Sequence, residues 1–102
     1  MTGCEAVRQE LAKYGGWDVS VMFAVAQAEN RTCDPAVHNL TLSENHGVCV
    51  GSYGALQVGC VHYAGQDRDS LAINVAIAHQ VWQKQGYEAW TQYNNLEYRR
   101  FL

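Results

Sequence analysis

The sequence predicts a small, mainly α-helical single domain with a buried central helix, a loop-rich middle segment and disulfide bonds. The chain has 102 residues, of which 48% are apolar and one is proline, so residues 1–102 suit one globular domain. Residues 19–28 are apolar at nearly every position, which is typical of a helix buried on most sides. Four cysteines form an even set, as two disulfides require. Such crosslinks would stabilise the modest core of a domain this small.

Two helices are predicted in the first third of the chain. Thr2 followed by Glu5 is a capping-box pattern for the first helix, which the glycines at 15–16 end. Asp18 is a good N-cap for the second helix, which runs to Glu29. The second helix has almost no polar face, so we expect it to lie at the centre of the fold.

The remaining elements follow from turn residues and apolar stripes. Residues 30–65 are rich in Gly and Asn and predict loops with short strands or turns. Asp69, with Asp67 as a further candidate, can cap a third and largely buried helix, which Gly86 ends. Residues 87–102 predict a short helix and a packed chain end.

Charge and hydropathy exclude two classes of partner. Seven basic and ten acidic side chains give a net charge of −3, with no Lys/Arg cluster beyond residues 99–100. This pattern provides no basic surface that could bind the phosphate backbone of a nucleic acid. The longest strictly apolar run, residues 21–26, is far shorter than the ~20 residues that cross a bilayer. We therefore expect neither nucleic-acid binding nor membrane insertion.

The cysteines predict an oxidising environment. We interpret the chain as a mature domain that is secreted or lies at the cell-envelope exterior, with any signal peptide removed. Four cysteines allow three pairings, and the sequence does not choose among them. Our working prediction joins Cys33 to Cys49 and Cys4 to Cys60.

A competing interpretation of the cysteines is a zinc site. His46 and Cys49 would supply one pair of ligands, and Cys60 and His62 the other. Neither pair is the Cys-x-x-Cys knuckle that structural zinc sites commonly use. Disulfides are therefore the preferred prediction, and no metal is expected.

Glu29 is the candidate catalytic residue. It is the one charged residue in the segment 19–29, and it stands where the buried helix should end. The negative end of the helix dipole and partial burial both disfavour the ionised form, so we expect a raised pKa for the Glu29 carboxyl. A carboxylic acid that keeps its proton near neutral pH is what a glycosidase needs to protonate a leaving-group oxygen. The alternative is a solvated side chain at a frayed helix end.

Motifs across residues 19–94 resemble the lytic transglycosylase and goose-type lysozyme superfamily. The resemblance lies in residues 26–30 (AQAEN), 33–39 (CDPAVHN), 51–58 (GSYGALQV), 73–76 (INVA) and 86–94 (GYEAWTQYN). The family pattern has a Glu that closes a buried helix, a Pro-Ala-x-x-Asn loop and a Ser-x-Gly-x-x-Gln segment. Where the family usually has Glu-Ser, this chain has Glu29-Asn30.

The resemblance implies a lysozyme-like fold and cleavage of peptidoglycan. Glu29 would be the general acid and base at the β-1,4 bond between N-acetylmuramic acid and N-acetylglucosamine. Ser52 and Gln57 would line the cleft, and Tyr93 would lie close to Glu29. Such an antibacterial, wall-degrading enzyme would act on glycan strands as a monomer, without a cofactor.

Two further questions concern the substrate and the reaction. Tyr53 and Trp90 stand in loop-like segments and are candidate platforms for sugar rings. Glu44, with Asp34 as a further candidate, is the possible second carboxylate that hydrolysis by water would need. Family members that form a 1,6-anhydro sugar need one Glu only. A noncatalytic module that binds a glycan or a protein is the hypothesis from another class.

Overall fold

The computed structural model describes residues 3–39, 49 and 51–102. Most of this part is helical, as predicted: α1 (Gly3–Leu11), α2 (Val19–Glu29), α3 (Leu71–Gln85), α4 (Thr91–Asn94), and 3₁₀ helices at Cys60–Tyr63, Tyr87–Ala89 and Glu97–Phe101. Three short strands, β1 (His38–Asn39), β2 (Ser52–Tyr53) and β3 (Val58–Gly59), form an antiparallel sheet in that order. Within the described ranges, no helix has both the length and the apolar character of a membrane span.

The central helix α2 begins at its predicted cap. The Asp18 carboxylate accepts a hydrogen bond from the backbone N–H of Val21 at 3.2 Å, which satisfies a donor that the first helical turn leaves open. Met22 and Val25 are fully buried in the core. The helix packs against α1, α4 and the 3₁₀ helix Glu97–Phe101, so three separate segments cover it. This confirms the predicted central position.

α1 lies against α2 through its apolar face. Val7 and Leu11 are fully buried, and the indole N–H of Trp17 donates to the Leu11 carbonyl at 3.0 Å. That bond satisfies one of the carbonyls that a helix C-terminus leaves without an intrahelical donor. Thr2, the first residue of the predicted capping box, lies outside the described residues.

The third helix ends as predicted but begins one residue later than its predicted cap implied. Gly86 ends α3 with a positive φ of 74°. Its N-cap is Ser70, whose hydroxyl accepts from the backbone N–H of Ile73 at 3.2 Å. Asp69 does not cap the helix. It belongs to a preceding turn, in which its backbone N–H donates to the carboxylate of Asp67 at 2.9 Å. The prediction of Asp69 as the cap was therefore wrong.

Both disulfides are present, but the predicted pairing is wrong. Cys4 is bonded to Cys33, with Cα atoms 5.1 Å apart, and Cys49 to Cys60, with Cα atoms 6.2 Å apart. The packing of α1 on α2 brings the first turn of α1 beside the loop that follows α2. Cys60 is brought beside Cys49 because its N–H donates to the Gly51 carbonyl at 2.9 Å in the hairpin of β2 and β3.

The pairing also excludes the zinc interpretation. Zinc binds cysteine as a free thiolate, and the sulfurs of Cys49 and Cys60 are joined to each other. His46, another of the four proposed ligands, lies outside the described residues. Among the residues the structure describes, no three His, Cys, Asp or Glu side chains are grouped to hold a metal ion.

Candidate active site

The C-terminus of α2 presents Glu29 to a cleft of about 340 Å³. Glu29 is half-buried, and its Oε1 accepts a hydrogen bond from the backbone N–H of Gln92 at 3.3 Å. Gln92 belongs to α4, so this bond joins the catalytic candidate to an element 63 positions away in the chain. Glu29 is therefore held against another element, in contrast to the frayed helix end that was the alternative.

Asn30 fixes the end of the helix on which Glu29 stands. It is 4% exposed, and its backbone N–H closes the last turn of α2 on the Ala26 carbonyl at 2.8 Å. Its side-chain amide donates to the carbonyls of Asp34 at 2.8 Å and Gly54 at 3.4 Å, while its oxygen accepts from the Thr32 hydroxyl at 2.7 Å. One buried side chain thus ties the loop after α2 to the turn between β2 and β3. In the sequence, Asn30 stands out only as a departure from the family pattern.

The opposite wall of the cleft includes the short sheet. Asn39 and Ser52 are paired across β1 and β2, and both line the cleft. His38 and Tyr53 form the next pair, which strand alternation turns to the other face of the sheet. Tyr53 does not belong to the cleft-lining residues, and the Arg68 guanidinium lies 4.5 Å from its ring centre. Sugar stacking on Tyr53 would thus take place outside this cleft.

Gln57 lines the cleft from a strained turn. Its φ is 46°, in the left-handed region that residues with a side chain adopt uncommonly. The amide nitrogen donates to the carbonyls of Gly54 at 2.8 Å and Val37 at 3.1 Å. Because both partners are acceptors, the amide orientation is fixed and the oxygen is the atom left for a ligand.

Asn74 supports this turn from inside the core. It is fully buried in α3, and its side chain accepts from the Leu56 N–H at 3.0 Å and donates to the Tyr53 carbonyl at 2.9 Å. It also donates to the Tyr63 hydroxyl at 2.6 Å. Burial raises the pKa of Tyr63 more than this hydrogen bond lowers it, so the hydroxyl stays protonated and donates to the Tyr53 carbonyl. A polar residue on the apolar stripe of a helix is the sequence signal that could have predicted a buried hydrogen-bonding role for Asn74.

Trp90 and Tyr93, the other two ring residues predicted near the substrate, have different environments. Trp90 lines the cleft, but it is only 4% exposed and its indole N–H donates to the Leu56 carbonyl at 2.8 Å. It therefore presents almost no ring face for stacking and instead holds the turn before Gln57. Tyr93 is half-buried between the rings of Tyr87 and Tyr98, with centroids 5.2 and 4.9 Å away. It is not among the cleft-lining residues, although its neighbour in α4, Gln92, is.

The structure thus brings Glu29, Ser52, Gln57 and Trp90 to one cleft. It adds residues that sequence reasoning did not assign to it, among them His62 and Gln92. His62 was considered only as a zinc ligand, and no local pattern assigns either residue to the cleft, because both reach it through tertiary packing. Glu44 lies outside the described residues.

Comparison with protein-family models, with curated proteins and with solved structures gave no match. The function is therefore inferred from the site itself and from the motifs in the sequence.

Proposed function

We propose that this protein cleaves the β-1,4 bond between N-acetylmuramic acid and N-acetylglucosamine in peptidoglycan, on a lysozyme-like fold. The observation that supports this most is a half-buried carboxyl group, Glu29, at the end of a buried helix, facing a polar cleft of about 340 Å³. The side chains of Asn39, Ser52 and Gln57 offer the hydrogen-bonding groups that hydroxyl and acetamido groups of a sugar need.

The chemistry assigns two successive roles to Glu29. Its carboxyl group donates a proton to the glycosidic oxygen as the bond to the anomeric carbon breaks. The resulting carboxylate, which accepts the Gln92 N–H, then takes a proton from the group that attacks the anomeric carbon. That group is either the muramic acid's own 6-hydroxyl, giving a 1,6-anhydro sugar, or water, giving a reducing end.

One-acid chemistry is the preferred form of the reaction. Among the described residues lining the cleft, Glu29 is the single carboxylic acid. Hydrolysis by a water that a second carboxylate activates would need a partner about 6.5–9.5 Å from it. Mass analysis of sugars released from purified peptidoglycan separates the reactions, because an anhydro end is lighter than a reducing end by one water.

Glu29→Gln tests the assignment directly. Glutamine keeps an oxygen to accept the Gln92 N–H but has no acidic proton to transfer, so we expect wall lysis to fall by at least about a hundredfold. The rate is measured as loss of turbidity of a purified cell-wall suspension. Glu88→Gln, at an exposed residue beside the cleft-lining Ala89, is the control for the same change in charge. Near-parental lysis by Glu29→Gln would contradict the catalytic role.

The alternative is a noncatalytic module on the same fold that binds a glycan or a protein. Both forms of this module predict that the parent protein releases no soluble sugar from peptidoglycan. The glycan-binding form also predicts that the protein sediments with insoluble peptidoglycan and that Glu29→Gln does not change this. A carboxylic acid at the end of an apolar helix has no evident use in such a binder, which favours the enzyme.

A further inference from the structure

A second, smaller cavity of about 80 Å³ adjoins the candidate active site. His62 and Val81 line both cavities, so the two are neighbours along one surface. The smaller cavity extends over the last turns of α3, where Ile77, Gln80 and Lys84 follow one another at helical spacing. A glycan strand that occupies the cleft could therefore place a substituent against this face of α3.

The chemistry of this extension differs from that of the cleft around Glu29. Among its described lining residues, Lys84 and His62 are the groups able to carry positive charge, and none is a carboxylic acid. Lys84 is exposed, and the ion pairs between described residues do not include it. Its ammonium group thus faces solvent beside two glutamine side chains, Gln80 and Gln85, that can donate further hydrogen bonds.

We propose that this extension is a subsite for an acidic substituent of the glycan strand, with the Lys84 ammonium as its main contact. The ligand class is a carboxylate attached to a sugar, such as the peptide stem of peptidoglycan, and the identity of the strand rests on the proposed function. Gln80 and Gln85 supply neutral donors, and His62 lies at the boundary with the catalytic cleft. The subsite would distinguish peptidoglycan from neutral β-1,4 polymers of N-acetylglucosamine.

Binding rather than cleavage tests this subsite. The probe is insoluble purified peptidoglycan, used either native or with its carboxyl groups chemically amidated, and bound protein is measured by sedimentation. All variants are made in the Glu29→Gln background, so the probe stays intact. We expect Lys84→Gln to weaken binding to native peptidoglycan by about two- to fivefold, the scale of one exposed ion pair. Binding to the amidated probe should not change.

Two matched variants separate a local contact from a general effect of charge. Lys13→Gln removes the same charge from a lysine that pairs with Glu10 away from the cleft, and it should leave binding unchanged. Lys84→Arg keeps the positive charge and should retain binding to native peptidoglycan. Thermal melting of each variant shows whether it is folded.

The outcomes distinguish this inference from the proposed function. Equal binding by Lys84→Gln and its parent, an equal loss on both probes, or a matching loss in Lys13→Gln would overturn the subsite. Failure of the parent to bind peptidoglycan would overturn it as well. Wall lysis by the protein with Glu29 intact is scored separately, so the subsite can fail while the enzyme stands, and the reverse also holds.

Discussion

Gly54 lies where the turn that carries Gln57 meets the core. Its φ is +84°, and a Cβ added there would stand 2.5 Å from Nδ2 of Asn74. That nitrogen donates to the Tyr53 carbonyl and the Tyr63 hydroxyl, so it cannot move aside without breaking buried hydrogen bonds. The contact explains why this turn requires a glycine for packing as well as for backbone conformation.

Gly54→Ala should therefore be much more destabilising than an otherwise similar glycine substitution. Gly65 has the same φ of +84°, but a Cβ added there would meet no described atom within 4 Å. We expect Gly65→Ala to cost about 1–2 kcal/mol for the left-handed backbone. Gly54→Ala should lower the free energy of unfolding by about 1–3 kcal/mol more than Gly65→Ala does, because the added Cβ overpacks the core. Urea denaturation measures both, and equal losses would show that Asn74 does not restrict this position.

Tyr93 gives a second prediction at the scale of one residue. The family resemblance assigns its hydroxyl to the neighbourhood of Glu29, whereas its ring stacks on Tyr87 and Tyr98. Tyr93→Phe keeps the stacked ring and removes the hydroxyl alone. The role that the resemblance implies, one hydrogen bond made in the transition state, predicts a fall in wall lysis of about tenfold with little change in melting temperature.

Tyr98→Phe is the matched control, because it removes a hydroxyl from the next ring of the same stack. Unchanged turnover in Tyr93→Phe would assign Tyr93 to packing. An equal fall in both variants would point to the stack as a whole rather than to the Tyr93 hydroxyl.

At the scale of elements, each disulfide fastens a different part of the fold. Cys4–Cys33 joins α1 to the loop after α2, next to the segment that Asn30 organises. Cys49–Cys60 joins the start of the hairpin to the 3₁₀ helix Cys60–Tyr63. The first crosslink therefore restrains the helical side of the cleft and the second restrains the sheet side.

Removing the two disulfides should have unequal effects on stability. Their sequence separations of 29 and 11 residues correspond to about 3.6 and about 2.8 kcal/mol from loop-closure entropy. In urea denaturation, the double variant Cys4→Ser, Cys33→Ser should therefore be less stable than the double variant Cys49→Ser, Cys60→Ser. The opposite order would show that native-state interactions, rather than the entropy of the unfolded chain, determine the difference.

At the scale of the whole molecule, the disulfides and the net charge indicate the surroundings in which the protein acts. Two disulfides in a chain of 102 residues are typical of an oxidising, extracellular environment. The net charge of −3 gives no long-range attraction to an anionic cell wall, because like charges repel. Recognition of a wall would then depend on local contacts within the cleft, of which the Lys84 subsite is the proposed example.

The sequence by itself determined the features that depend on neighbours along the chain. Asp18 begins α2, Glu29 ends it, and Gly86 ends α3, because helix caps and C-terminal glycines act within one helical turn. The even number of cysteines likewise predicted two disulfides. One prediction of this local kind was wrong: the N-cap of α3 is Ser70 and not Asp69.

Only the tertiary structure decided which distant residues meet. The disulfide partners depend on how α1 packs against α2 and on the register of the hairpin. The contact of Glu29 with the Gln92 N–H spans 63 positions, and the register of β1 with β2 places Ser52, but not Tyr53, on the cleft side of the sheet. Local propensities do not encode such contacts, because their free energy arises when separate elements bury their surfaces against one another.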